Sequence, residues 1–186
     1  QEPLMPKKSP PASEDNASHA VAMIVSSEHL ATEDGWQFSE FEYGMIIAYN
    51  AFSRWMTRCM NAVGYQDFNP LDVLVLHNVN HRKRAKRLID VAFVLNVEDQ
   101  HTVNYSLKKL TKAGLVEGEK RGKEIFYSTT KTGKEACAEY GRLRELCLIS
   151  PATSSNVDKE EISRTAKVLR NASGLYGQAS RAAASL

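Results

Sequence analysis

Residues 98–113 read EDQHTVNYSLKKLTKA, and the fold turns on that stretch. Val103, Leu107 and Leu110 recur at i, i+4 and i+7, which lines up one apolar stripe of a helix. At 100° per residue the opposite face carries His101, Tyr105, Lys108 and Lys112, flanked by Asn104 and Lys109. That face offers hydrogen-bond donors, a stacking ring and cations, and no carboxylate. Upstream, residues 85–95 read as a second apolar helix with Leu88, Ile89, Ala92, Phe93 and Leu95 as its core side. A break follows at Asn96-Val97, where Asn tolerates the left-handed conformation of a tight helix end. Downstream come Gly114, Leu115-Val116, a polar tip over 119–124, and Ile125-Phe126-Tyr127-Ser128.

Helix, short turn, helix and a hairpin with a basic tip make a winged helix-turn-helix. The expected class is mainly α with a small β-hairpin wing and long flanking dimerisation helices. Leu107-x-x-Leu110-x-x-x-Gly114-Leu115-Val116, a wing, and then Thr130-Lys131-Thr132-Gly133-Lys134 resemble the MarR family of transcriptional regulators. In that family the recognition helix ends in Leu-Glu-x-x-Gly-Leu-Ile/Val, and Leu-Thr-x-x-Gly closes the wing. The resemblance covers roughly residues 69–140 at motif level; the flanking helices match in character. It implies a regulator that binds double-stranded DNA as a homodimer, with terminal helices of two subunits intertwined. It also implies a small aromatic effector, for which Tyr49, Phe52 and Trp55 are candidate lining residues beside their bland role in packing. One departure stands out. The family's wing Asp-x-Arg is missing and Lys120-Arg121-Gly122-Lys123 occupies the tip, so mobile charge is expected there rather than a preorganised arginine.

The charge distribution agrees with a phosphate-binding centre. Residues 1–81 hold four Lys/Arg against ten Asp/Glu, residues 82–134 thirteen against six, and residues 135–186 seven against six. Net charge is thus −6, +7 and +1, with the cations gathered on the helix-turn-helix and wing. Three cysteines, Cys59, Cys137 and Cys147, form no CxxC pair, which fits a reducing cytoplasm. No run approaches the ~20 apolar residues that span a bilayer, so no membrane is expected as a partner.

In chain order, residues 1–18 carry Pro3, Pro6, Pro10 and Pro11 and read as a disordered arm. Residues 19–64 form an N-terminal extension and dimerisation helix. Ser39-Glu40-Phe41-Glu42 reads as a capping box, opening a helix to about Val63. Its apolar positions Phe41, Met45, Ala48, Phe52, Trp55 and Cys59 follow a 4-3-4-3-4 seam. That seam is either intrachain core or subunit interface. Residues 65–134 are the winged domain, where Asn69-Pro70 caps a helix that packs Leu71, Leu74, Val75 and Val79 inward. Residues 135–186 are C-terminal dimerisation helices. Thr132-x-x-Glu135 is read as a cap, the helix it opens runs to about Ile149, residues 152–156 form a polar link, and Asp158 starts a last helix. Dimer contacts are expected from Phe41, Met45, Phe52, Ile162, Leu169 and Tyr176.

Candidate DNA contacts are Arg82, Lys83, Arg84 and Lys86 before the helix-turn-helix, His101, Thr102, Asn104, Tyr105, Lys108 and Lys109 on the recognition helix, and Lys120, Arg121 and Lys123 on the wing. Asn suits adenine, and Lys suits the acceptors of guanine. Asp99 or Glu98 caps the recognition helix. No catalytic, nucleotide-binding or metalloprotease motif occurs, and no enzyme or cofactor is expected. His77 and His81 stand at i, i+4, but lack a clear third ligand, so no metal is expected either. By the resemblance Cys59 and Cys147 are candidate oxidant sensors, but they fall among apolar residues, where a buried, inert thiol is the commoner state. Two alternatives stay open: a winged helix used as a protein–protein module, and a ligand- or metal-sensing regulator of another winged-helix family.

Overall fold

The computed structural model describes residues 28–30 and 32–186. The expected arm at 1–18 lies outside the described residues. The described chain divides between Phe52 and Ser53 into two units.

In the first unit, the amides of Gly35 and Trp36 donate to the Thr32 carbonyl at 3.1 and 2.9 Å, and α1 (Trp36–Val63) starts from that turn. The expected start at Ser39 is therefore corrected. Ser39 lies inside the helix, buried, and its hydroxyl donates to the Leu30 carbonyl at 2.7 Å. Phe41 and Met45 are half-buried, while Ile46, Ile47, Tyr49 and Phe52 are exposed. The seam read from the sequence changes role along its length: in the second unit Met56, Cys59 and Met60 are core residues. α1 ends where Gly64 takes φ +107°, with Gly64 N donating to Asn61 and Tyr65 N to Met60. Glycine reaches that conformation without a Cβ penalty.

The second unit holds the winged domain. α2 (Pro70–Asn80) opens with a reciprocal cap: Asn69 accepts from Asp72 N, and Asp72 accepts from Asn69 N, both at 2.9 Å. Its core side is Val73, Val75, Leu76 and Val79, with Leu71 and Leu74 only half-buried. Val75 and Val79 are inward as expected, Leu71 and Leu74 pack at the edge of the core, and Val73 and Leu76 complete the inward side. A short strand, β1 (Lys86–Arg87), precedes α3 (Leu88–Leu95). The expectation of helix over 85–87 is corrected. Arg87 is extended instead, and its amide donates to the Asp90 carboxylate, which begins the helix at Leu88. The core side of α3 is Val91 and Ala92; Ile89 and Phe93, expected inside, are 50% and 85% exposed.

Asn96 ends α3 at φ +54°, the left-handed turn expected there. α4 (Gln100–Lys112) follows, capped by Asp99, with Val103, Leu107 and Leu110 fully buried. Burying each such side chain contributes roughly 1.5–3 kcal/mol. β2 (Val116–Arg121) and β3 (Glu124–Thr129) form the wing around Gly122 and Lys123, and β1 pairs with β3, giving the antiparallel order β1-β3-β2.

The closing motif latches the wing to the helices. Thr130 N donates to the Leu115 carbonyl and the Thr130 hydroxyl to the Gly114 carbonyl. The same hydroxyl accepts from Gly133 N, so Thr130, not Thr132, caps α5 (Lys131–Arg144). A Cβ at Gly133 would collide with the Leu115 carbonyl, which explains the glycine. Beyond α5 a π turn over Glu145–Ile149 leads into α6 (Ser150–Ser154), so helix continues through the expected stop. Pro151 lacks an N–H and crowds the preceding turn; the wider i→i−5 bond from Ser150 N to the Glu145 carbonyl makes room for it. α7 (Lys159–Ala183) is capped by Asp158, as expected. Ala172 is its buried residue, and Ile162, Leu169 and Tyr176 are 57%, 42% and 36% exposed.

Candidate nucleic-acid interface

The solvent face of α4 is built from residue spacing and one cap. Asp99 accepts from His101 N at 2.9 Å, which satisfies a free amide and favours the helix dipole. His101, Thr102, Tyr105, Lys108 and Lys112 then lie exposed, and the helix carries no carboxylate. The Thr102 hydroxyl donates to the Asp99 carbonyl at 2.7 Å, so towards DNA it can only accept. Tyr105 is 66% exposed and stands between two concavities, one lined by Asn69, Leu71 and His101, the other by Asp67, Phe68 and Lys108. Asn104 is half-buried in a gap between α4 and the wing, with Gln100, Ile89 and Ile125. Gln100, four residues before Asn104, and Lys112 belong to this surface and were not among the expected contacts. The i, i+4 spacing of Gln100 and Asn104 was the available signal.

Two expected contacts are corrected. Lys86 is buried, and its ammonium donates to the Asn78 carbonyl rather than pointing to solvent. Burial, with Arg84 and Arg82 adding to it, lowers its pKa. Lys109 turns into the domain as well. Its ammonium binds the buried Asp72 carboxylate at 2.7 Å, the Asp67 carbonyl, and the face of Phe68 at 5.4 Å. Both residues look like free cations in a linear reading because their partners lie 8 to 42 positions away.

The wing pairs part of its own charge. Arg121 donates to Glu119 through Nη2 at 2.6 Å and Nε at 3.0 Å, and its guanidinium sits 5.0 Å from the Phe126 ring centre. The Glu119 hydrogen bond raises the Arg121 pKa and Glu119's falls in return. In place of Asp-x-Arg, Glu119-x-Arg121 supplies an i, i+2 acid–arginine pair, one methylene longer and on the surface. Strand period 2 puts both on one face. Lys120 and Lys123 are exposed. Arg87 fastens the wing to α3 through Asp90 at 2.9 Å and Glu124 at 3.0 Å.

Arg82 and Arg84 are exposed on the segment between α2 and β1. Lys86 pairs with Tyr127, and Thr129 donates to Asn80 at 3.0 Å, which puts the loop between α2 and β1 at the base of the wing. The tip lies about 17 Å away along β3, at roughly 3.3 Å per residue. Arg82 holds φ +63°, and its Nε donates to His81 at 3.1 Å. The Lys83 side chain lies outside the described residues. His81 is thereby engaged, and His77 instead meets the Tyr140 ring edge-on at 4.4 Å. Among the described residues no group of three or more His, Cys, Asp or Glu converges to hold a metal. Cys59 and Cys137 are buried; Cys147 is exposed on the π turn, contrary to expectation. No helix of the described residues is long and apolar enough to cross a membrane.

Comparison with known proteins gives this geometry its context. Residues 68–133 match the family described as winged helix DNA-binding domain. No curated protein matches the chain. Among solved structures, a cysteine-to-serine mutant of MarR from E. coli complexed with operator DNA is 16% identical, with a TM-score of 0.61 over 73% of this chain and 95% of that one. FabT of Streptococcus pneumoniae in complex with DNA is 15% identical, with a TM-score of 0.59 over 76% and 98%. The MarR family regulator NMB1585 of Neisseria meningitidis is 17% identical, with a TM-score of 0.60 over 76% and 94%. Residues 68–133 are thus similar to the winged helix DNA-binding domain, and the chain has the fold of the MarR regulators.

Proposed function

We propose that this chain is a sequence-specific, double-stranded DNA-binding transcriptional regulator that acts as a homodimer in the cytoplasm and catalyses no reaction. The observation that carries this reading is the solvent face of α4. It is free of carboxylates, it presents His101, Thr102, Tyr105, Lys108 and Lys112, and it stands beside a wing tip bearing Lys120, Arg121 and Lys123. A major groove admits one helix, and a wing beside it reaches the adjacent backbone or minor groove. The DNA complexes solved for MarR and FabT on the same fold support the reading. In it, His101, Thr102, Asn104, Tyr105 and Lys108 approach base edges and phosphates. Arg82 and Arg84, exposed at the wing base, add to the attraction for the DNA backbone.

The dimer rests on exposed apolar side chains. Ile46, Ile47, Tyr49 and Phe52 on α1, and Ile162, Val168, Leu169 and Leu175 on α7, are each 42% exposed or more, beyond what a solitary chain keeps in water at small cost. Phe41, Met45 and Tyr176 extend the same two stripes. The exposed rings of Tyr49 and Phe52 are also able to stack on a small aromatic effector.

The test replaces single residues on α4. Lys108→Ala and Asn104→Ala are expected to leave folding intact and to lower discrimination between a selected duplex and a scrambled one by ~1–3 kcal/mol each, the size of a bidentate base contact. Leu107→Ala, on the buried side, is expected to destabilise the fold by ~2–5 kcal/mol. Titrations that show full discrimination by both surface variants would remove α4 as the reading element.

A further inference from the structure

We infer that Lys109 is a positioning residue for sequence reading: through Asp72 it sets how the recognition helix lies against α2, and it does not itself contact DNA. This rests on the DNA-binding function proposed above. Four observations meet at the site. The Asp72 side chain is fully buried, yet one of its oxygens accepts at once from the α2 cap, Asn69 N at 2.9 Å, and from Lys109 Nζ at 2.7 Å. The ammonium is further occupied by the Asp67 carbonyl and by the Phe68 face at 5.4 Å. Phe68 is itself fixed, buried and stacked on Tyr65 with ring centres 5.6 Å apart. Lys109 also lies directly beside Lys108, and both line the concavity next to Tyr105.

A charge-assisted bond to a carboxylate in a desolvated site has a narrow geometry. It joins the first turn of α2 to the last turn of α4. The apolar stripe Val103–Leu107–Leu110 fixes which face of α4 meets the core, and a directional contact is what refines its placement within that limit. Hydrophobic contact is non-directional, whereas the Asp72–Lys109 pair is directional and sits on one flank. Its loss would let α4 roll or slide by a fraction of an ångström. Bidentate base contacts from Asn104 or Lys108 depend on such placement; phosphate attraction barely does.

The experiment uses the full chain, a duplex selected by it from random DNA, and a scrambled duplex of equal length and composition. Lys109→Met alone would leave the buried Asp72 carboxylate unpaired and strain the fold. The main variant is therefore the double Asp72→Asn with Lys109→Met, which removes both charges and keeps an oxygen acceptor for Asn69 N. A thermal melt establishes that it is folded. The expected result is a loss of roughly 10- to 100-fold in affinity for the selected duplex, the range expected when one base is no longer read. Affinity for the scrambled duplex and the slope of log affinity against log salt stay as in the wild type. A loss that is equal on both duplexes, with the slope reduced by about 0.9, would overturn the inference, because Lys109 would then be a phosphate ligand. Unchanged discrimination in a folded double variant would overturn it too. Failure of the wild type to select any duplex would strike the proposed function itself, and is read before any variant is made.

Discussion

His77 is held where a proton is disfavoured. It is half-buried, its Nε2 has no hydrogen-bond partner, and its ring meets Tyr140 edge-on at 4.4 Å. Burial lowers its pKa below the ordinary 6.5. A histidine with a depressed folded pKa binds a proton more readily in the unfolded chain, so stability is retained above pH ~6.5 and falls as pH drops from there towards the folded value. Urea unfolding at pH 7.5 and pH 5.5 is expected to show a smaller loss of stability for His77→Phe than for the wild type. Equal losses would mean that the imidazole is not the group responsible. At this scale the sequence is legible where a residue acts on near neighbours. Asn69 and Asp99 as caps, Asn96 as a left-handed helix end and Gly133 within the closing motif all act within a few positions or belong to a motif with one backbone solution. It is not legible where the partner is remote. A linear reading makes Lys86 and Lys109 surface cations because Asn78, Asp67 and Asp72 gain their meaning only once α2, β1 and α4 are packed.

Among the elements, the wing forms where the linear reading puts it, and its cations separate into two kinds. Lys120 at the end of β2 and Lys123 in the turn are exposed side chains, whereas Arg121 is paired with Glu119 and lies over Phe126. Lys123→Ala is therefore expected to weaken binding about equally on every duplex and to lower the salt slope by about 0.9 for each phosphate it no longer neutralises. Arg121→Ala is expected to change sequence preference as well, since a preorganised arginine senses the width of an A·T-rich minor groove. Salt titrations on the selected and scrambled duplexes check both. An Arg121→Ala variant that changes only the slope would show that its ordering has no role in reading. Helical periodicity locates α2, α4 and α7 because their apolar positions repeat over three turns or more. It fails for β1, whose two residues are too few to show a period. It also rotates the core side of α3 and misses part of that of α2. Both helices are apolar nearly all round, so spacing alone does not choose between Leu74 and Val73, or between Phe93 and Val91. The π turn before Pro151 has no signal beyond the proline, which by itself reads as a stop.

On the scale of the molecule, charge and apolar surface are distributed as a dimeric DNA reader needs. Cations cluster on residues 82–134, and the long helices α1 and α7 carry exposed apolar stripes. Part of that positive charge is engaged within the fold, at Lys86, Arg87, Lys109 and Arg121, so the reading surface is less cationic than the count implied. In the proposed function direct contact falls to a small set of side chains, and a single recognition helix reads only a few base pairs. Two copies related by a dyad would double that readout, with half-sites about one helical turn apart. The most direct measurement of this account is selection of bound fragments from random duplex DNA, followed by sedimentation of the protein with the enriched duplex. The expected result is a dyad-symmetric sequence bound by twice the 20.7 kDa chain mass. A single asymmetric half-site bound by one chain would contradict the dimer, and no enrichment of any sequence would contradict the reading of DNA.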